Sequence, residues 1–294
     1  MFDIAINTDY LMGTLSPEPH LRAIAEAGFT DLHWCHQWNT DFLYSRHEIA
    51  QYKAWLKELG LRLQDVHGSS GVEKNWFATE EYSRKAGVEL VRNRLEMMAE
   101  MEATGGLIMH APGLTGKETP EYRAVIMRRH EALRRSLDEL MPDLEKYDRC
   151  IAIENRDNDT FELICAIMRD YPAERVGITY DSGHGHIDRD QGLDLMEQVK
   201  DRIQVLHLND NDTSGDLHQP PFYGTLDWDR VVDLLRRSSY VATGRPLSFE
   251  VAMRATPFFD PERKADQTPE AIRNYLHDAH ERMTRITAAY LKQD

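Results

Sequence analysis

The chain has 294 residues, with 50 acidic against 35 basic side chains for a net charge of −15; 41% of it is hydrophobic and 29% charged. That composition excludes a disordered chain, a collagen-like fibre and a small disulfide-stapled scaffold, while leaving length for one large domain or two smaller ones. The acidic total disfavours diffuse attraction to nucleic acid or to an anionic membrane, although a local basic patch can coexist with it.

The N-terminal MFDIAIN places an acid at Asp3 and no basic stretch before a long apolar segment, so no secretory signal is expected. Short β-branched-rich runs then begin at Asp3 (DIAIN), Thr30 (TDLHW), Leu61 (LRLQDVH), Gly106 (GLIMH), Cys150 (CIAIE), Arg175 (RVGITYD), Arg202 (RIQVLH) and Pro246 (PLSFEV). Each precedes a segment of helical periodicity. Between them lie helix signals: Ser45 and Glu48 form a capping box, Gly60 ends a helix, and Thr119-Pro120 and Thr268-Pro269 each set a cap before a first-turn proline. One longer loop, GSSGVEKNWFATEE, follows the third strand. In the last helix Ile272, Tyr275, Leu276, Ala279, Met283 and Ile286 make one apolar stripe for packing on a sheet. Apolar runs such as Leu163 to Met168 fall far short of the roughly 18 residues a membrane span needs. Cys35, Cys150 and Cys165 lack C-x-x-C spacing and are expected as small buried hydrophobes in a reducing, cytoplasmic setting.

Eight β-then-α units without a linker imply parallel strands joined by right-handed crossovers. The predicted fold is a single α/β domain spanning 1–294, a (β/α)8 TIM barrel. An open doubly wound sheet is the alternative, but NTDYLMG after the first strand lacks the G-x-G-x-x-G turn. In a barrel, functional groups gather where strands end. His20, His47, His130, His277 and His280 fall in helices and are expected at the surface. The other eight, His33, His36, His67, His110, His184, His186, His207 and His218, fall at strand ends or in the loops after them. Strands three to eight end in His67, His110, Glu154, Asp181, His207 and Glu250. Carboxylates converging without a cation would repel and raise one another's pKa. A divalent ion removes that conflict. Glu154, Asp181, His207 and Glu250 offer three oxygen ligands and one imidazole, a mixture suited to Mn²⁺, Mg²⁺ or Co²⁺. Adding His67, His110, His184, Asp216 and His218 makes a nitrogen-richer surround in which Zn²⁺ fits as well.

At these residues the sequence resembles the xylose isomerase-like TIM barrel superfamily, which holds sugar isomerases and epimerases together with endonuclease IV-like abasic-site nucleases. The resemblance runs over almost the whole chain, through IMHAPG, IAIENRD, ITYDSGHGH, VLHLNDND, DLHQPPFYGTLDW and LSFEV. It implies that Glu154, Asp181, His207 and Glu250 bind the ion common to the superfamily. It also implies that His67 and His110, with Glu154 bridging, correspond to one further zinc site of the nucleases, and His184, Asp216 and His218 to another. Sugar chemistry is favoured over DNA cleavage because cations in the post-strand loops are single and scattered: Lys74, Lys117, Arg156, Arg189 and Arg254. One departure is notable. Ketose 3-epimerases usually follow the strand-seven histidine with a substrate-gripping arginine, and here the stretch is LNDNDTSGDLH.

The expected activity is isomerisation or epimerisation of a small sugar or polyol, ketose, aldose or inosose. Glu154 and Glu250 would remove and return a proton next to the substrate carbonyl through a metal-stabilised ene-diolate. His184 is the candidate for polarising a substrate oxygen. Trp34, Trp76 and Phe77 are candidates for walling the sugar, and Arg156 and Arg254 for binding a carboxylate or phosphate. The alternatives are an endonuclease IV-like zinc phosphodiesterase, a sugar or inosose dehydratase, and a metal-stabilised sugar-binding protein. The expected partners are a small sugar and, compatibly with the fold, further copies of the chain, with no membrane.

Overall fold

The computed structural model describes residues 2–11, 16–113, 119–156, 161–187, 191–264 and 266–292. Eight strands, β1 (Ile4–Asn7), β2 (Asp31–Trp34), β3 (Arg62–His67), β4 (Leu107–Met109), β5 (Ile151–Glu154), β6 (Val176–Asp181), β7 (Ile203–His207) and β8 (Leu247–Phe249), pair in parallel. Their spatial order is β7-β6-β5-β4-β3-β2-β1-β8. The ring is joined between β7 and β8 by a parallel bridge, Leu208 to Phe249, in which Leu208 N donates to Ser248 O (3.0 Å) and Glu250 N to Leu208 O (3.1 Å). This is the TIM barrel that the alternation of elements predicts.

Around it run α1 (Glu18–Glu26), α2 (Arg46–Leu59), α3 (Glu81–Glu100), α4 (Pro120–Tyr147), α5 (Phe161–Asp170), α6 (Ser182–Ile187), α7 (Gln191–Glu197), α8 (Trp228–Arg236) and α9 (Pro269–Leu291). Local signals act where the sequence puts them. Ser45 accepts from Glu48 N while Glu48 reaches back to Ser45 N, Gly60 closes α2 in the left-handed region at φ 69°, and Thr119 and Thr268 cap α4 and α9. The α9 stripe buries Tyr275, Leu276, Ala279, Met283 and Ile286 against the barrel. The outward faces of the strands and inward faces of the helices form one continuous apolar layer, whereas Ile108, Ala152 and Val205 form a small separate cluster.

Two helical histidines are not at the surface. His20 is buried against the Tyr10 ring at 4.9 Å, and His130 is buried with Nε2 3.1 Å from Pro112 O. Burial lowers the pKa of both. Each lies on the helix face turned to the barrel, and the aromatic or carbonyl partner there accommodates a neutral ring. His47 and His277 are exposed, and His280 is half-buried edge-on to Phe29. Cys35 and Cys150 are buried, while Cys165 is only partly so. Among the described residues no helix is long and apolar enough to cross a membrane.

Candidate metal centre and substrate pocket

Because successive side chains of a strand point to opposite faces, the residues ending β5, β6 and β7 and those just after β4 and β8 turn into the barrel mouth together. Glu154 lies at the centre. One carboxylate oxygen meets His207 Nδ1 at 2.6 Å and the other meets His110 Nε2 at 2.6 Å. His207 Nδ1 is also 3.0 Å from Glu250. Glu154, Asp181, His207 and Glu250 bring one donor atom each within 4.8 Å of one another, and so do His67, His110 and Glu154, and His184, Asp216 and His218. The structure thus gathers at one mouth all nine residues singled out as ligands.

Asp181 is oriented by its neighbours. Its side chain accepts from His184 N (2.7 Å) and Asn209 Nδ2 (3.1 Å), and its backbone is clasped by the Asn155 amide in both directions (2.8 and 2.9 Å). Asn209 comes close only because residue 183 is glycine: a Cβ there would lie 1.8 Å from Asn209 Oδ1. His184 Nε2 reaches Asp216 at 3.5 Å, and His218 Nε2 meets the same carboxylate at 2.9 Å. The loop bearing Asp216 and His218 is anchored by Asp210, a fully buried carboxylate that accepts from Asn211 N, Phe222 N, Leu226 N and Trp228 Nε1 at 2.9–3.0 Å. His218 itself sits in the left-handed region at φ 49°, held by Ala252 N donating to its carbonyl.

The electrostatics follow from this crowding. Burial opposes charge on His207, yet Glu250 and Glu154 lift its pKa well above the ordinary range. His184 is likewise desolvated but held up to about 10 by Asp181, Asp216 and Glu154, and His218, also against burial, to about 9 by Glu250 and Asp216. Burial would raise Glu154 and Glu250, but the adjacent imidazoles carry both below the usual carboxylate range. Asp181, where burial dominates, rises to about 6. His67 falls to about 3 through burial and the nearby His110.

Neither Glu154, Asp181 nor Glu250 pairs with a Lys or Arg among the described residues; imidazoles are the cationic partners of these carboxylates, of which Glu154 and Asp181 are buried. Hard oxygens plus one imidazole, arranged so tightly, fit a divalent cation.

Beside the cluster opens a cavity of about 650 Å³ over the ends of β8, β1 and β2, in the size range of small-molecule sites. Glu250 and His218 line its inner end, Asn7, Asp9, Gln37 and Asn39 supply polar groups, and Trp38 supplies an aromatic wall. Arg254 lines it as well, and its guanidinium donates to Asp216 O at 3.2 Å.

Not every expected residue reaches this site. Trp34 is wholly buried and donates to Tyr44 OH (3.1 Å), because its neighbour His33 takes the inward direction on β2 and Trp34 therefore faces the helices. Trp76 is buried too, its indole donating to His110 O at 3.0 Å, and Phe77 packs on the same outer core. These three do not wall the pocket. Trp38 does, with its ring 4.5 Å from His67 and 5.4 Å from His110. Arg156 is exposed beside Asn155, and Lys117 and Arg189 lie outside the described residues. Of the rim histidines, His36 lines the cavity, His186 turns to Thr225 Oγ1 (2.9 Å), and His33 drops inside the barrel. Sequence reading missed Trp38, Asn155, Asn209 and Asp210. The period-two rule was the available signal for Trp34, since an inward His33 forces it outward; Trp38 lies in the turn beyond β2, where no such rule applies.

A model of the xylose isomerase-like TIM barrel family matches residues 21–275, and the chain belongs to that family. It is 29% identical over 258 residues to y4fM, an uncharacterised protein of Sinorhizobium fredii, covering 79% of this chain and 80% of that one. Among solved structures it is similar to the 3-keto-D-glucoside 4-epimerase YcjR of E. coli, with a TM-score of 0.69 at 19% identity over 96% of this chain and 100% of the other. It is also similar to D-psicose 3-epimerase of Clostridium cellulolyticum H10, with a TM-score of 0.71 at 13% identity over 97% and 99%. At these identities the structural likeness is one of fold.

Proposed function

We propose that the protein is a divalent-cation-dependent isomerase or epimerase of a small sugar or polyol. The observation that carries this reading is the position of Glu250, which belongs to the four-residue ligand set and also lines the open cavity. The names of the two similar solved structures, both sugar epimerases, support it.

Glu154, Asp181, His207 and Glu250 would hold the ion. When bound, it supplies Lewis acidity toward a carbonyl and the hydroxyl beside it. The protein's own contributions differ from residue to residue. Glu250, its side chain 12% exposed and facing the cavity, is placed to take the proton from the carbon next to the carbonyl. Glu154, with only 1% exposure and both oxygens committed to His110 and His207, is better suited to holding charge than to meeting substrate, so the second proton carrier is assigned to His218, which lines the cavity. Trp38 covers an apolar sugar face, and the amides of Gln37 and Asn39 read hydroxyls, while the Asn7 amide is held by Asp9 and Val251 N. Arg254 stands in the cavity where a substrate carboxylate or phosphate would be received. No arginine follows His207; Asn209 and Asp210 there serve Asp181 and the loop.

The test is proton–deuterium exchange at carbon with Mn²⁺-loaded protein over a ketose and inosose panel. Exchange that needs the ion and vanishes in Glu250→Gln is expected. Normal exchange in that variant, or none with any sugar in the wild type, overturns the reading. A second reading, an endonuclease IV-like zinc phosphodiesterase on abasic DNA, is favoured by one observation: the His67–His110–Glu154 and His184–Asp216–His218 groups are both assembled. Three Zn²⁺ per chain with nicking of abasic duplex would select it. A dehydratase would instead release water and leave a deoxy-carbonyl product.

A further inference from the structure

Below the ligand set, inside the barrel, lies a buried polar pair that neither the fold nor the proposed chemistry has used. His33 on β2 and Asp65 on β3 are both wholly buried, and His33 Nδ1 bonds the Asp65 carboxylate. The other Asp65 oxygen accepts from Gln64 Nε2 at 3.3 Å. A barrel interior is ordinarily filled by branched apolar side chains, as Ile108 and Val205 do here. Burying a carboxylate and an imidazole instead is costly and leaves no net gain over well-packed hydrophobes. The pair therefore calls for a reason beyond stability.

The reason lies one layer up. The His33 and His207 rings are 4.3 Å apart, centroid to centroid, and the Nε2 atoms of both are buried with no hydrogen-bond partner. His207 directs Nδ1 at Glu154 and Glu250, so Nδ1 is the nitrogen it would present to a cation. To ligate, Nδ1 must carry a lone pair, which puts the ring proton on Nε2. That proton needs an acceptor in a place water does not reach. His33 is the ring packed against His207: with Nδ1–H given to Asp65, its Nε2 keeps an unused lone pair.

We propose that Asp65 and His33 are positioning residues that fix the tautomer and orientation of His207, forming a chain from Asp65 through His33 to His207 that prepares Nδ1 for a divalent cation. The inference rests on the cation-binding part of the proposed function and on no particular substrate. Partners of this kind typically change metal affinity by about 10–100-fold.

The experiment has two arms. Calorimetric titration with Mn²⁺ compares wild type with Asp65→Asn and His33→Leu. Asp65→Asn keeps the shape but lets residue 65 donate to His33 Nδ1, which reverses the His33 tautomer and turns a proton toward His207. Affinity should fall by about 10–100-fold in both variants. Wild-type affinity in both overturns the proposal. In the second arm, ¹⁵N–¹H correlation spectra of the histidine side chains of Zn²⁺-loaded wild type should show His207 protonated at Nε2 and His33 at Nδ1, a signature that mere packing would not produce. A His33 ring protonated at Nε2 overturns the proposal even if neither variant folds. A wild type that binds Mn²⁺ but exchanges no sugar proton defeats the sugar reading and leaves this inference standing, whereas a wild type that takes up no cation defeats both.

Discussion

The two flanks of the barrel mouth are built on opposite plans. From β3 to β7 the rim is imidazole and carboxylate, buried and interlocked, with Glu154 shared between His110 and His207 at 2.6 Å each. Over β8, β1 and β2 it is a cavity of about 650 Å³ walled by amides and Trp38, with Asp9, Arg254 and Lys264 also lining it. The first flank concentrates carboxylates offset by imidazoles, and the second leaves room for a small polar molecule. Glu250 and His218 stand on the border. Under the proposed function the contrast is a division of labour: one flank tunes reactivity and the other chooses what reacts.

Substitutions can break that division. The largest effect is expected at the border, where Glu250→Gln should lower deuterium exchange by roughly 10²–10⁴-fold, the usual worth of a positioned acid or base, while the circular dichroism melt stays cooperative. Next comes the pair of tryptophans. Trp34→Ala should cost about 3–5 kcal/mol of stability in denaturant titrations, since a wholly buried indole is removed from the outer core. Trp38→Ala should spare stability and raise KM by about tenfold with little change in kcat, the pattern of lost substrate binding. The reverse assignment of effects would show that Trp34 faces the pocket and Trp38 the outer core.

A pH experiment sharpens the charged flank. In metal-free protein the raised His184 and His218 contribute stability that is complete below the ordinary 6.5 and is lost as pH rises through about 9–10. The thermal midpoint of chelator-treated protein should accordingly fall between pH 7 and 10. Because His207 is held protonated above the ordinary range, Mn²⁺ loading at pH 8 should release about one proton per ion, read from calorimetry in buffers of different ionisation enthalpy. A flat midpoint together with no proton release would mean the imidazoles are not charged as their carboxylate neighbours demand. The smallest effect is expected on the other flank: Arg254→Gln should raise KM for acidic sugars by roughly three- to tenfold and leave neutral sugars unaffected.

Much of this architecture was legible in the sequence. The alternation of apolar runs and helical stripes, with Ser45, Thr119 and Thr268 as caps, specifies the elements, and parallel crossover rules then close them into a barrel. The strand-end residues from His67 to Glu250 were readable because the fold itself defines where strand ends meet. What escaped depends on distance-specific contacts that no local rule carries. Asn209 and Asp210 follow His207 as ordinary polar loop residues, and only the folded chain turns one toward Asp181 and the other into a fourfold anchor. His20 and His130 were misjudged because a single polar residue on the inward face of a helix looks, in sequence, like one on the outward face.

The join between β7 and β8 has a consequence of its own. It is made by one bridge at Leu208 and Phe249, whereas the β5–β6 and β6–β7 pairs share four registered positions each. His207 and Glu250 stand on its two sides, 3.0 Å apart. An ion gripped by both would act as a rivet across the weakest stave of the cask, so stripping it should loosen the cylinder there first, with amide protons of Leu208 and Glu250 exchanging sooner than those deep in β5 and β6.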